Sequence, residues 1–210
     1  MNIKDIIEMG LIPSATNNTR SLEQVRNLSS VFNKQFNQIA ETVKNINNDT
    51  SRTKAEKATL YSKVSKKLDT DLSNTIAVMI DNISSEQATL QAKKETILKS
   101  GDKLVNLHLA THLRDNADQA SELLSSDLRY LQASSDFPAS YFGLDNKILQ
   151  QMQNSGIRKH VPEIGELEEQ INHSEKHAKH LIKYYDSLKT EVTNLTDTQA
   201  LQNRVDADSI

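Results

Sequence analysis

Residues 162–203 read PEIGELEEQINHSEKHAKHLIKYYDSLKTEVTNLTDTQALQN. Taken in sevens, this stretch sets Ile164, Leu167, Ile171, Ser174, Ala178, Leu181, Tyr185, Leu188, Val192 and Leu195 at alternating steps of three and four. That spacing keeps a narrow apolar stripe on one side of a helix, facing a partner helix. Pro162 suits a first helical position, where its missing N–H has no helical acceptor to lose. Glu163, Glu166, Glu168 and Glu169 suit the positive end of the helix dipole. The seam fades into Gln199 and Gln202, so a frayed C-terminus is expected.

Upstream, the chain supplies further helices for that stripe to meet. Ser21-Leu-Glu-Gln24 has the capping-box pattern and opens a helix with Leu22, Val25, Leu28, Phe32, Phe36, Ile39, Val43 and Ile46 on one face. Asn47-Asn-Asp-Thr50 ends it with side chains that compete for backbone hydrogen bonds. Thr53-Lys-Ala-Glu56 is a second capping box. From it one helix is expected to run to Lys99, with no Gly or Pro inside and Tyr61, Val64, Leu68, Leu72, Ile76, Met79, Ile83, Leu90 and Ile97 on its buried side. Its rise predicts a rod of roughly 70 Å. Ser100-Gly-Asp102 reads as a stop followed at once by a new N-cap, which makes the next helix an antiparallel neighbour. That third helix is expected as one piece over residues 103–133, with Leu104, Leu107, Ala110, Leu113, Ala117, Ala120, Leu124, Leu128 and Leu131 in one row.

Residues 134–161 break the pattern. They hold Phe137-Pro138, then Tyr141-Phe-Gly143, a short helix near 145–154 and Ser155-Gly156 as its stop. Three of the nine aromatic residues fall in this segment, so it either caps the end of a bundle or presents a docking tip. Residues 1–13 place Ile3, Ile6 and Ile7 on one face, followed by Leu11 and Ile12. They read as a segment that folds back on the body or as a tethered docking peptide.

The expected architecture is therefore all-α: an elongated antiparallel bundle or set of coiled-coil hairpins with about four long helices. Its parts are an N-terminal docking or flexible segment (1–20), a three-helix antiparallel body (21–133), an irregular aromatic tip with a short helix (134–161), and a heptad helix with a tail (162–210). Composition agrees. Gly and Pro together number eight in 210 residues, Trp and Cys are absent, and apolar residues make up 36%. Few turn-formers imply few, long elements.

The same composition narrows function. Without Cys there is no disulfide, thiol catalysis or thiolate metal site. A net charge of −3 gives no global attraction to nucleic acid or anionic membrane. Residues 1–9 carry Asp5 and Glu8 and no apolar run of signal-peptide length. The longest apolar run, residues 76–80, is far short of the ~18 a membrane span needs. The expectation is a soluble chain without a cleavable signal, either cytoplasmic or part of an exported or virion assembly.

Candidate sites are sparse. His108 and His112 stand four apart, as do Glu169, His173 and His177, with His180 nearby. The intervening Glu of a zinc-protease motif and the Glu-x-x-His of a di-iron bundle are both absent, so a solvated helix face is the reading and no metal is expected. Arg52, Lys54, Lys57, Lys63, Lys66 and Lys67 oppose Glu56 alone. Lys63, Lys66 and Lys67 are the residues a phosphate would meet, although for nucleic-acid stacking only one aromatic, Tyr61, is close. No catalytic or cofactor-binding residue and no small-molecule substrate is expected.

What the pattern favours is a non-enzymatic coiled-coil assembly or adaptor component, pairing with itself or with a protein partner. Ile3, Ile6, Ile7, Leu11, Ile12, Phe137, Tyr141, Phe142, Leu181 and Leu188 are its candidate contact residues. The alternative is a membrane-active helical protein, a pore-forming subunit or a membrane-surface module. It lacks an insertable segment.

Overall fold

The computed structural model describes residues 20–99 and 102–207. Every regular element among them is helical, with no strand. The α-helices are α1 (Arg20–Asn48), α2 (Lys54–Lys67), α3 (Ser73–Leu98), α4 (Lys103–Asp115), α5 (Ala120–Ser126), α6 (Leu128–Ser135), α7 (Asn146–His160) and α8 (Pro162–Ala207). A wide π turn, Leu68–Leu72, carries α2 into α3 without a break. With that run counted as one, the described residues hold seven helices, against the four long ones expected. The candidate contacts Ile3, Ile6, Ile7, Leu11 and Ile12 lie outside the described residues, as does the stop expected at Gly101.

The chain forms two compact units. One takes the residues up to Ser84 together with those from Asn172 on, and the other is Ser85–Ile171. The expected bodies 21–133 and 162–210 are each shared between the units, and 134–161 lies wholly in the second.

In the first unit, α1 buries Leu22, Val25, Phe32, Phe36, Ile39, Val43 and Ile46. Phe32 and Phe36 stack along the helix with centroids 5.9 Å apart, and the Phe36 ring meets Tyr184 of α8 at 6.4 Å. Each such side chain taken from water contributes about 1.5–3 kcal/mol before entropy is subtracted. The α1–α2 connection is short and well tied. The Thr53 hydroxyl accepts from the Glu56 amide, and the Glu56 carboxylate accepts from the Thr53 N–H at 2.8 Å, completing the capping box. Tyr61 donates from its buried ring to Asn47 Oδ1, and Lys57 Nζ donates to the Asn47 carbonyl at 3.0 Å.

The π turn has a cause in the sequence. The buried stripe Tyr61, Val64, Leu68, Leu72, Ile76, Met79 and Ile83 advances by three, four, four, four, three and four residues. Three consecutive fours exceed what a 3.6-residue turn tolerates on a straight stripe. A single wider turn absorbs the extra residue and keeps both Leu68 and Leu72 fully buried. The Ser73 N–H then reaches back to the Leu68 carbonyl.

The α8 seam follows the heptad reading closely. Ile164, Leu167, Ile171, Ala178, Leu181, Leu188 and Val192 are buried, while Ser174, Tyr185 and Leu195 are half-buried.

The second unit corrects the expected single helix over 103–133. The chain breaks twice. Asn116 leaves helical geometry at φ −123°, ψ 45°. Asp127 is extended at φ −144°, ψ 125°, and its carboxylate accepts from the Arg129 amide to start α6. Both are residues whose short polar side chains compete with helical bonding. Because the axis is reset at each break, the expected row does not stay on one face. Ala110, Leu113, Ala120, Leu124 and Leu131 are buried, but Leu104 and Leu107 are exposed.

The expected stop at Gly156 is also corrected, since α7 runs through it to His160. A Cβ at Gly156 would lie 2.7 Å from the Leu124 carbonyl oxygen and 2.8 Å from Leu131 Cδ2. The glycine is there for close approach of α7 to its neighbours, not for termination. Gly143, at φ 68°, makes the true turn ahead of α7.

Candidate functional site

The basic stretch of α2 lies along a groove in the first unit. Between α1 and α2 the surface opens into a hollow of about 460 Å³. Its apolar lining is Ile46 from α1 and Leu60 and Val64 from α2, with Ile46 and Val64 buried. Arg52, Lys63 and Lys67 line it with cationic side chains. Lys63 and Lys67 stand one helical turn apart, so their shared presence is set by the α2 repeat. Lys66, the third residue expected to meet a phosphate, does not line the groove.

Asp49 is the carboxylate in the lining, and its oxygens are already engaged. Oδ1 accepts from the Ser51 hydroxyl at 2.6 Å and the Ser51 amide at 2.9 Å, and Oδ2 accepts from Arg52 Nε at 2.7 Å. Those bonds, led by the Ser51 hydroxyl, hold its pKa down at about 2. Asp49 therefore stays charged and fixes the Arg52 side chain through Nε. The groove keeps three cations against one anion.

The aromatic segment lies against α4. Phe137 stacks on Tyr141 at 4.8 Å, and Phe142 meets both edge-on, at 6.5 and 5.3 Å. Tyr141 Oη is 3.2 Å from Thr111 Oγ1, and the Arg114 guanidinium lies 5.3 Å from the Tyr141 ring centre. Phe142 is 2% exposed. Its ring is part of the core of the second unit. Phe137 and Tyr141 are half-buried.

Leu181 and Leu188 are likewise closed within the first unit, at 2% and 3% exposure. In this structure the seam they belong to is filled from within the chain.

Beside that seam, Asp69 in the π turn accepts from Tyr185 Oη and Lys189 Nζ of α8. In the second unit Glu168 of α8 is a polar hub. One of its oxygens accepts from Lys94 Nζ of α3 and the other from Arg158 Nε of α7 at 2.5 Å. Lys94 also donates to Asn154 Oδ1 at 2.9 Å. Sequence reasoning missed this hub because its members are separated by up to 74 residues and none belongs to a motif.

The histidines do not converge. Among the described residues no three His, Cys, Asp or Glu side chains are placed to hold a metal ion. His112 Nδ1 lies 3.0 Å from Tyr130 Oη. His177 Nε2 is buried without a hydrogen-bond partner, and burial, then the charge of His180, lower its pKa. No helix among the described residues is long and apolar enough to cross a membrane.

Three large apolar side chains stand exposed close together in sequence. Leu104, Val105 and Leu107, in the first turns of α4, are 79%, 47% and 46% exposed. The chain matches no family model, no curated protein and no solved structure.

Proposed function

We propose that the protein is a non-enzymatic helical component, coiled-coil in character, that works by protein–protein contact, and that it self-associates through the exposed start of α4. The observation that carries this reading is the apolar turn Leu104–Val105–Leu107. At 100° per residue, Leu104 lies 120° to 180° from Asn106, Ala110 and Leu113, which are buried in the second unit, and Leu107 flanks it at 60°, between Leu104 and Ala110. The turn is held in helical form by Asp102, whose carboxylate accepts from the Leu104 amide at 2.9 Å and the Val105 amide at 3.4 Å. An ordered apolar face left in water is unfavourable, and covering it is a driving force for association. A second copy of the same turn offers a matching surface, as a two-fold contact requires. The reading assigns no catalytic, cofactor or metal role to any residue.

The test is absolute mass by light scattering over a concentration series, on the wild type and on a Leu104→Glu/Leu107→Glu variant. Mass that rises with concentration in the wild type and stays at the monomer value in the variant supports the reading. A wild type that remains monomeric throughout, with unchanged behaviour in the variant, removes it.

A further inference from the structure

The geometry points to a second, independent site: the groove between α1 and α2 binds an organic phosphate, with its anionic head on Lys63 and Lys67 and its apolar body on Ile46, Leu60 and Val64. Four observations carry this.

The first is charge. Lys63 and Lys67 are like charges one turn apart, an arrangement that works against the helix. Neither has a carboxylate partner among the described residues. Asp49 does not relieve them, because Ser51 and Arg52 already occupy its oxygens. An anion entering the groove meets three cations and one committed carboxylate.

The second is preorganisation. The Asp49–Arg52 contact uses Nε of the guanidinium, and neither terminal nitrogen makes a hydrogen bond among the described residues, so the planar fork is oriented before any ligand arrives. The capping box fixes the turn that carries Arg52.

The third is lining. Ile46 and Val64 are each 7% exposed and form a firm apolar floor. A bare inorganic anion makes no use of such a floor, whereas an ester with a hydrocarbon or aromatic body does. The fourth is size. A hollow of about 460 Å³ falls within the range of small-molecule sites, about 300–1,000 Å³.

A free phosphate ester and the headgroup of a phosphate lipid share this chemistry, and the experiment separates them. Phenyl phosphate is titrated into the full-length, ¹⁵N-labelled protein at low salt, with inorganic phosphate as the headgroup-only control. Saturable shifts are expected at residues 42–67, with phenyl phosphate binding more tightly than inorganic phosphate. Lys63→Ala/Lys67→Ala weakens binding by about tenfold or more. Lys66→Ala makes an equal single-charge change per residue on the same turn outside the groove, and leaves binding unchanged. Since all three lysines are solvent-facing, circular dichroism should report the same fold for each variant.

The vesicle arm uses phosphatidylcholine with and without phosphatidic acid. Flotation with phosphatidic acid that phenyl phosphate competes away assigns the ligand to a lipid headgroup, and no flotation assigns it to a free ester. Absence of saturable shifts, equal weakening by Lys66→Ala, or flotation that ignores the Lys63 and Lys67 substitutions overturns the site. None of these readouts depends on self-association through α4, which is followed separately by mass.

Discussion

Asp69 Oδ1 accepts a hydrogen bond from Tyr185 Oη at 3.0 Å, across 116 residues of sequence, and a second from Lys189 Nζ at 2.7 Å. The carboxylate sits in the π turn, on the residue after fully buried Leu68. The turn that repairs the apolar stripe thus also sets an acidic group against α8. Lys189 first and Tyr185 second hold the Asp69 pKa below its usual value. The contribution is present above the ordinary Asp value of 3.8 and is lost as pH falls through the lowered folded value. Both side chains of the Asp69–Lys189 pair are more than 40% exposed. Asp69→Asn should therefore cost under about 1 kcal/mol at neutral pH in urea denaturation. A loss several times larger would mean that the contact orders the turn itself.

The π turn makes a sharper prediction. Deleting Thr70 converts the buried steps from Tyr61 to Ile83 into a regular alternation of three and four, so an ordinary α-helix can carry the same stripe. The deletion should leave a cooperative, folded protein with a urea midpoint near the wild type. Deleting Ala77, in a regular part of α3, rotates everything beyond it by about 100° relative to the stripe and should abolish cooperative unfolding. Equal damage from both deletions would refute the account of the wide turn as a one-residue insertion.

Gly156 and Gly165 form a matched pair. Both are helical, and alanine is favoured over glycine in a helix by about 1 kcal/mol. At Gly165 the nearest atom to an added Cβ is Arg158 Cγ at 3.5 Å, an ordinary contact. At Gly156 it is a backbone carbonyl oxygen at 2.7 Å. Gly165→Ala should raise the thermal midpoint slightly, and Gly156→Ala should lower stability by about 1–3 kcal/mol. A stabilising Gly156→Ala would show that the close approach of α7 to Leu124 is absent.

These cases show what the sequence carries and where it stops. The α1 and α8 stripes were legible because long helices repeat one spacing many times. The α2–α3 stripe was legible residue by residue, and its three successive fours already held the π turn, but as a register anomaly easily read as noise. The break at Asp127 was signalled only by a capping aspartate inside an apolar row. Gly156 carries the same letter for a stop and for close packing, and only Leu124 and Leu131 decide between them. In the groove, the spacing of Lys63 and Lys67 was visible, but Ile46 and Arg52 join them only after α1 folds back on α2. Glu168 reads in sequence as one of a helix-dipole cluster, and nothing local points to Lys94 or Arg158.

That Glu168 hub should be costly to open from one side. Burial alone would raise the Glu168 pKa, but the hydrogen bonds from Lys94 and Arg158 outweigh it and the net shift is downward. Side-chain exposures of 13% for Lys94 and 10% for Glu168 leave little water to replace a lost partner. Glu168→Gln should destabilise the protein by about 3 kcal/mol, because it leaves the part-buried Lys94 ammonium without its counter-charge. Lys94→Met/Glu168→Leu should recover much of the loss. In the wild type the hub's contribution is present above the ordinary Glu value of 4.5 and lost as pH falls through the lowered folded value. Glu168→Gln should flatten that part of the acid limb. An unchanged acid limb would mean that the carboxylate is not engaged in solution.

His177 titrates in a different window. Its ring is partly buried on α8, its Nε2 has no hydrogen-bond partner, and burial followed by the charge of His180 lowers its pKa from 6.5. With the folded value depressed, the unfolded chain binds the proton more readily than the native one. Stability is therefore full above pH 6.5 and falls as pH drops from there through the folded-state value. The measurement is the urea midpoint at pH 7.5 and at pH 5.5. The wild type should lose stability between the two, and His177→Leu, which keeps an apolar body in the same place, should lose less while matching or exceeding the wild type at pH 7.5. If both proteins fall equally, the pH dependence arises elsewhere, and the His177 imidazole is hydrated in solution.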